Sequence, residues 1–442
     1  MLDGLEVTLV GAIGPVLMRP DTLRLDNTEL GGTATAYLAG AVLGALVFGR
    51  LTDLFGRKRL FLVTLAVYLT ATLASGFAWS FWSFAAFRFF TGAGIGGEYS
   101  AVNSAIDELI PARVRGRADL GINSTYWLGT ALGAVLTFVL LNPRLLPLSL
   151  GWRLVFAVGA ALGASVLMLR RHVPESPRWL LLHGREHDAE VIIGEIEGHV
   201  ARSLHEPLPP VDKRVPLEAK GAVTFRAIAR VLLRRNRRRT VLGLSLMIAQ
   251  AFAYNGVFFT YALVLSKFYG VAPGRVSLYL LPFAISNLLG PLVLGHLFDR
   301  VGRRRMIALT YAVSGALICV AGGGLVGGWY GAVTQTLAWS AVFFVASAAA
   351  SSSYLTVSEL FPVELRGMAI ALFYAVGTAL GGVAAPALFG ALLETGSRGW
   401  VFVGYLIGAA LMLAAAVVAL VFGVAAEGRS LEAVNAAPDL EG

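Results

Sequence analysis

Twelve apolar stretches, each about as long as a helix that crosses a bilayer, constrain this 442-residue chain more than anything else in it. A hydrocarbon layer of ~30 Å takes about 20 residues of α-helix, because backbone polar groups inside it must be satisfied within the segment. The stretches lie near residues 1–19, 31–52, 60–78, 82–106, 118–141 and 151–169 and, after a long polar segment, near 241–263, 276–297, 306–326, 331–356, 368–393 and 400–424. Composition agrees, with 14% charged residues against about 25% in an average soluble domain. The predicted class is an all-α integral membrane protein. Its 51 glycines suit helices whose backbones approach closely.

Charge placement predicts the topology. Of the 36 Lys and Arg residues, the loops after odd-numbered spans hold only Arg19, Arg24, Arg144, Arg153, Lys267, Arg275 and Arg398; Arg88 lies inside a span, and the rest flank even-numbered spans or the tail. The positive-inside rule then puts both termini in the cytoplasm of a plasma (inner) membrane protein. The basic run Arg234, Arg235, Arg237, Arg238, Arg239 abuts a span, so anionic lipid explains it and no nucleic-acid partner is expected. No basic stretch precedes the first span, so no cleavable leader is expected. The lone Cys319 lies in an apolar run and reads as a small buried hydrophobe. No nucleophile, base and orienting group occur together, and all six His fall at loops or helix ends. An enzyme, a metal centre and a cofactor are not expected.

Two motifs recur at nearly one offset. Gly49 to Arg59, G-R-L-T-D-L-F-G-R-K-R, returns 246 residues later as G-H-L-F-D-R-V-G-R-R-R from Gly295 to Arg305. Glu108 to Gly116, E-L-I-P-A-R-V-R-G, returns after 251 residues as E-L-F-P-V-E-L-R-G from Glu359 to Gly367. Six spans have been duplicated. With this repeated G-x-x-x-D-x-x-G-R-R/K loop the chain resembles the major facilitator superfamily over essentially its whole length. R-F-F-T-G-A-G-I-G-G-E (Arg88 to Glu98), P-E-S-P-R-W-L (Pro174 to Leu180) and E-G-R-S-L-E (Glu427 to Glu432) resemble its sugar porter and metabolite/proton symporter branches. The resemblance implies twelve transmembrane helices in two pseudo-symmetric six-helix halves. Residues 1–169 form the first half, 170–240 a cytoplasmic linker with amphipathic stretches near 185–201 and 223–235, 241–424 the second half and 425–442 a tail.

In the duplicated loops Asp53 and Asp299 precede a turn-forming Gly and an Arg cluster, so Arg57 or Arg303 can reach carboxylates such as Glu108 or Glu359 while each Asp meets a helix N-terminus. Arg115 and Arg366 complete the second repeated motif. The geometry suits a latch between the halves, which the resemblance implies closes the cytoplasmic side; plain topological anchoring is the alternative.

An ionisable group at a helix centre costs ~2.5–3.5 kcal/mol on insertion scales, so each one is a functional candidate. Four qualify: Asp3, Glu6, Arg88 and Glu98. Three acids against one base leave a negative excess that protonation can neutralise. D-G-L-E in the first span resembles the D-G-x-D of aromatic acid/proton symporters, and in proton-coupled sugar porters the corresponding acid pairs with the residue matching Arg88. Glu6 with Arg88 is therefore the expected coupling pair, with Asp3 next; Glu98 is equally readable as a structural acid. If Met1 began the first span, Asp3 and Glu6 would sit at the interface where charge is cheap, so further N-terminal turns are expected ahead of it. Polar and aromatic candidates for the solute are Asn123, Tyr126, Trp127, Gln250, Tyr254, Asn255, Asn287 and Tyr354. Gln250 and Asn255 keep part of the sugar porters' span 7 pattern, while Ala249 and Ala253 depart from it.

The expected function is secondary active transport, as a proton symporter importing a small polar metabolite, an organic acid or a sugar, by alternating access. The glycine seams Gly40/Gly44 and Gly129/Gly133 are expected to be sliding contacts. The expected partners are solute, protons and lipid, with no obligate protein partner. A proton-antiport exporter of hydrophobic compounds and a non-transporting nutrient sensor are the alternatives.

Overall fold

A computed structural model describes residues 1–111, 113–170, 174–204, 232, 234, 236–271, 273–361, 363–427 and 429, together with most of their side chains. The first half comprises α1 (Leu2–Leu17), α2 (Asn27–Phe55), α3 (Arg57–Ser75), α4 (Phe81–Leu109), α5 (Arg115–Leu140) and α6 (Leu148–Arg170). Two short helices follow, α7 (Pro177–Leu182) and α8 (Glu186–Leu204). The second half comprises α9 (Arg237–Tyr269), α10 (Pro273–Arg300), α11 (Arg303–Gly327) and α12 (Ala332–Leu360). Its eleventh span is composite, α13 (Val363–Gly377), a π-helical stretch (Thr378–Val383) and α14 (Ala384–Glu394), and α15 (Arg398–Phe422) closes the bundle. Each predicted span thus has its helix, usually extended past the apolar run by a turn or two of interfacial residues. The stretch near 223–235 lies largely outside the described residues.

Among the described residues, nine helical segments are long and apolar enough to cross a membrane. Those of α1, α4 and α5 are not among them. At 16 residues α1 is short, and α4 carries Arg88 and Glu98 in its described part. The arginine clusters mark one end of the bundle, the basic face. Trp79, Trp82, Trp329 and Trp400 stand exposed at the opposite ends of their helices, where amphipathic rings favour a membrane interface.

Both duplicated loops turn on a glycine that only a residue without Cβ accommodates: Gly56 at φ 95° and Gly302 at φ 108°. Each turn lets the next helix start at once, and each new N-terminus is capped by a distant glutamate. The Glu175 carboxylate accepts from the backbone N–H of Arg57 (2.9 Å) and Lys58 (3.2 Å), and Glu427 accepts from that of Arg303 (3.2 Å). A carboxylate at a helix N-terminus satisfies orphan donors and the positive end of the macrodipole. The P-E-S-P-R-W-L and E-G-R-S-L-E motifs therefore do the same work in the two halves.

The glycine seams differ from expectation. A Cβ at Gly40 or Gly44 would overlap the backbone of Phe89 or Ala93 on α4, and one at Gly129 would overlap the Met1 carbonyl next to α1. These are backbone-to-backbone contacts inside the first half, too tight to slide. The halves meet instead through α5 on α10 and α2 on α13.

Candidate functional site

Arg88 is fully buried, seven residues (about 10 Å) into α4 from the tryptophan-lined end. A buried guanidinium survives only if paired and hydrogen-bonded. Its Nη1 is paired with the Glu6 carboxylate of α1, itself fully buried. Nη2 donates to Ser75 Oγ and Thr91 Oγ1, both at 3.0 Å. The rings of Phe156 and Phe84 stand 4.9 and 5.6 Å from its Cζ, adding cation–π attraction. Thr72 Oγ1 donates to Glu6 Oε2 at 3.4 Å. Arg88 is thus anchored by α3, α4 and α6 as well as by α1, so losing Glu6 would not free it. Both acids of α1 lie in the bundle interior rather than at an interface.

Asp3 faces the space between the halves. Tyr37 Oη donates to its Oδ1 at 3.1 Å, and its charge acts on Tyr126, Tyr354 and Tyr374. Tyr126 comes from the first half and the other two from the second. All four tyrosines are only half-buried although they sit mid-helix on inward faces, which is how residues lining an internal cavity behave. Gln250 hydrogen-bonds the Tyr354 hydroxyl and Thr378 that of Tyr374. The π-helical stretch brings Gly381 against the α9 backbone and Gly382 against Asn255, and such π segments frequently mark functional positions.

Trp127 and Tyr254 meet across the two halves with ring centroids 6.0 Å apart, and Tyr126 stands edge-on to Trp127 at 5.2 Å. One predicted solute contact is fully buried, and two others make a bond one turn back along their own helix. Asn287 is fully buried, accepting from Tyr254 Oη (2.6 Å) and donating to the Phe283 carbonyl (2.9 Å). Asn123 donates to the Asp119 carbonyl one turn back (3.0 Å). Asn255 likewise donates to the Ala251 carbonyl (2.7 Å), and both side chains keep a half-buried position, Asn255 near Gly382. Sequence reasoning missed Tyr37, Tyr374, Ser75 and Thr91. Only Thr91, one turn after Arg88, carried a readable signal.

At the basic face a charge network joins the halves. Asp299 accepts from the backbone N–H groups of Gly116 (3.1 Å) and Arg117 (2.8 Å), at the N-terminus of α5. It also receives Arg303 Nη1 at 2.7 Å. Arg303 takes Glu359 in a two-pronged contact, Nε at 3.2 Å and Nη2 at 3.3 Å, and Arg115 of the first half reaches the same carboxylate at 3.4 Å. Arg57, Arg115, Arg303 and Glu359 are all nearly inaccessible. The side chains of Asp53, Glu108 and Arg366 lie outside the described residues. Glu98 is half-buried on α4, ten residues beyond Arg88 toward the basic face.

The family described as "Sugar (and other) transporter" matches residues 16–437. The niacin transporter NiaP of Acinetobacter baylyi is 28% identical over 440 residues, covering 98% of this chain and 94% of that protein. A D-xylose transporter of Levilactobacillus brevis is 22% identical, over 89% of this chain and 84% of its own. Among solved structures, the proton:xylose symporter XylE bound to 6-bromo-6-deoxy-D-glucose superposes with a TM-score of 0.80 at 20% identity, covering 98% of this chain and 95% of that one.

Proposed function

The chain belongs to the sugar (and other) transporter family of the major facilitator superfamily, and from that premise we propose that it is a proton symporter importing a small polar metabolite into the cytoplasm. It is a membrane transporter of metabolites and not an enzyme. The basic face is the cytoplasmic one, both termini lie there, and the charge network on it holds the halves closed on that side. The Glu6–Arg88 pair is the coupling site, and its burial is the observation that carries this reading. Protonating Glu6 cancels one member of an ion pair whose other member stays anchored by Ser75, Thr91 and two aromatic faces. The moving part is then α1, which lines the cavity through Asp3.

For the solute, the half-buried tyrosines, Gln250 and the Trp127–Tyr254 pair offer hydrogen bonds around flat apolar faces. They suit a ring-shaped polar molecule, either a sugar or an aromatic acid of the kind the named relatives carry. The driving force is sufficient. One proton entering down 100 mV releases ~2.3 kcal/mol, half a pH unit adds about 0.7 kcal/mol, and together they support roughly hundredfold accumulation.

Proteoliposomes under an imposed pH gradient, offered D-xylose, D-glucose, lactate, nicotinate and benzoate, test this directly. Glu6→Gln is expected to abolish gradient-driven accumulation while counterflow exchange continues. Persistent accumulation in that variant would remove Glu6 from coupling.

A further inference from the structure

The coupling pair sits about 10 Å inside the tryptophan-lined end, so an imported proton has most of the bilayer still to cross. Among the described residues, one buried tyrosine hydroxyl near that route makes no hydrogen bond. Tyr68 of α3 is fully buried, and its hydroxyl makes no hydrogen bond among the described residues. Burying a hydroxyl without a partner is costly, and phenylalanine would fill the same space without that cost. Its surroundings are charged all the same. Glu6 and Asp3 on α1 and Arg88 and Glu98 on α4 all act on it electrostatically. Across from it, on α2, Tyr37 holds Asp3.

Tyr68 packs on Gly94, where a side chain would collide with its Cβ and backbone. Gly94 lies six residues beyond Arg88 and four short of Glu98 on the same helix, roughly 9 Å and 6 Å along the axis. Helical side chains lean toward their own N-terminus. The Glu98 side chain on α4 therefore leans back toward the tryptophan-lined end, and Tyr68 on the antiparallel α3 leans toward the basic face, so the two approach each other. Glu98 is half-buried, and the coupling mechanism above gives it no part.

We propose that Tyr68 and Glu98 form a proton relay that carries the coupled proton from Glu6 toward the basic face. The inference rests on Glu6 being the coupling acid. The Glu6 carboxyl proton passes to the Tyr68 oxygen as the Tyr68 hydroxyl proton passes to the Glu98 carboxylate. This leaves Glu6 ionised, Tyr68 neutral and Glu98 protonated, with no net change in atoms or charge. In the present conformation Glu6 is held by Arg88 and Thr72, and the Tyr68 hydroxyl bonds to neither acid. The relay is thus broken while the ion pair stands, which prevents a leak. It closes only when protonation and bound solute together let α1 move.

The test uses the full chain in pyranine-loaded proteoliposomes, with the five solutes of the previous section supplied together. Solute-dependent proton entry after an acid jump and counterflow exchange are both measured. Tyr68→Phe and Glu98→Gln are each expected to slow proton entry at least tenfold while counterflow stays within twofold of wild type. The unfolding temperature of Tyr68→Phe is expected to be unchanged or higher, because the lost hydroxyl bonds to nothing. Glu98→Asp is expected to recover part of the proton flux. Normal proton entry in Tyr68→Phe and Glu98→Gln, with Glu6→Gln inactive, would overturn the relay alone. Equal loss of counterflow and flux would make both residues structural and overturn it too. Proton entry that survives Glu6→Gln, or its absence in the wild type, would instead overturn the coupling reading and the relay with it.

Discussion

Removing Arg115 isolates one side-chain contact of the basic-face network that depends on conformation, leaving the Asp299 bonds to the Gly116 and Arg117 amides, which also cross the halves, in place. Within the second half, Arg303 binds Asp299 at 2.7 Å and Glu359 at 3.2 and 3.3 Å. Those contacts persist whichever way the halves rock, so their energy cancels between the two states. The Arg115–Glu359 contact crosses the halves at 3.4 Å with both side chains almost inaccessible, and it exists only when this face is closed. At 3.4 Å it is long for a charge-assisted hydrogen bond, which places it at the low end of the usual range, about 1–2 kcal/mol. Arg115→Gln keeps a donor of similar length and leaves Glu359 paired with Arg303, so no buried charge is orphaned. The closed-to-open ratio should then fall about five- to thirtyfold. Spin labels at Val114 and Val301, exposed on opposite halves of this face, introduced with Cys319→Ser, report that ratio as a change in the distance distribution. An unchanged distribution would refute the latch and leave these charges as topological anchors.

Two further outcomes follow from the geometry. Gly302→Ala forces a Cβ onto a backbone at φ 108° and to 2.9 Å from the Glu427 carboxylate, so it should cost about 1–3 kcal/mol and lower the melting temperature in detergent. Because Gly56 meets Glu175 in the same way, Gly56→Ala should match it, and a neutral result at either position would break the equivalence of the two capped loops. Trp127→Ala removes the ring 6.0 Å from Tyr254, worth about 0.5–1.5 kcal/mol. Uptake kinetics should show a several-fold rise in KM with kcat nearly unchanged. A fall in kcat alone would mean that the pair works in rocking rather than in binding.

Much of this protein was determined by its one-dimensional pattern. A span has to be apolar for about 20 residues whatever its neighbours do, so the twelve runs, the duplicated loops and the bias of arginine toward one face were readable directly. So was the shortlist of interior charges, because hydrocarbon tolerates few of them. Relative placement was not readable. Helical periodicity assigns residues to faces of one helix, but the rotation of that helix against its neighbours comes from packing. The pairing of Glu6 with Arg88, 82 positions away in sequence, was expected from the family resemblance and not from any local pattern, and tertiary structure supplied the contact and the Ser75, Thr91 and aromatic groups around it. It gathered Tyr37, Tyr126, Tyr354 and Tyr374 around Asp3, turned Asn287 away into a buried bond with Tyr254, and located the Gly40 and Gly129 seams inside one half. The roles of Glu175 and Glu427 also had to be seen in three dimensions, since a carboxylate that caps a helix more than a hundred residues distant leaves no local mark in the chain.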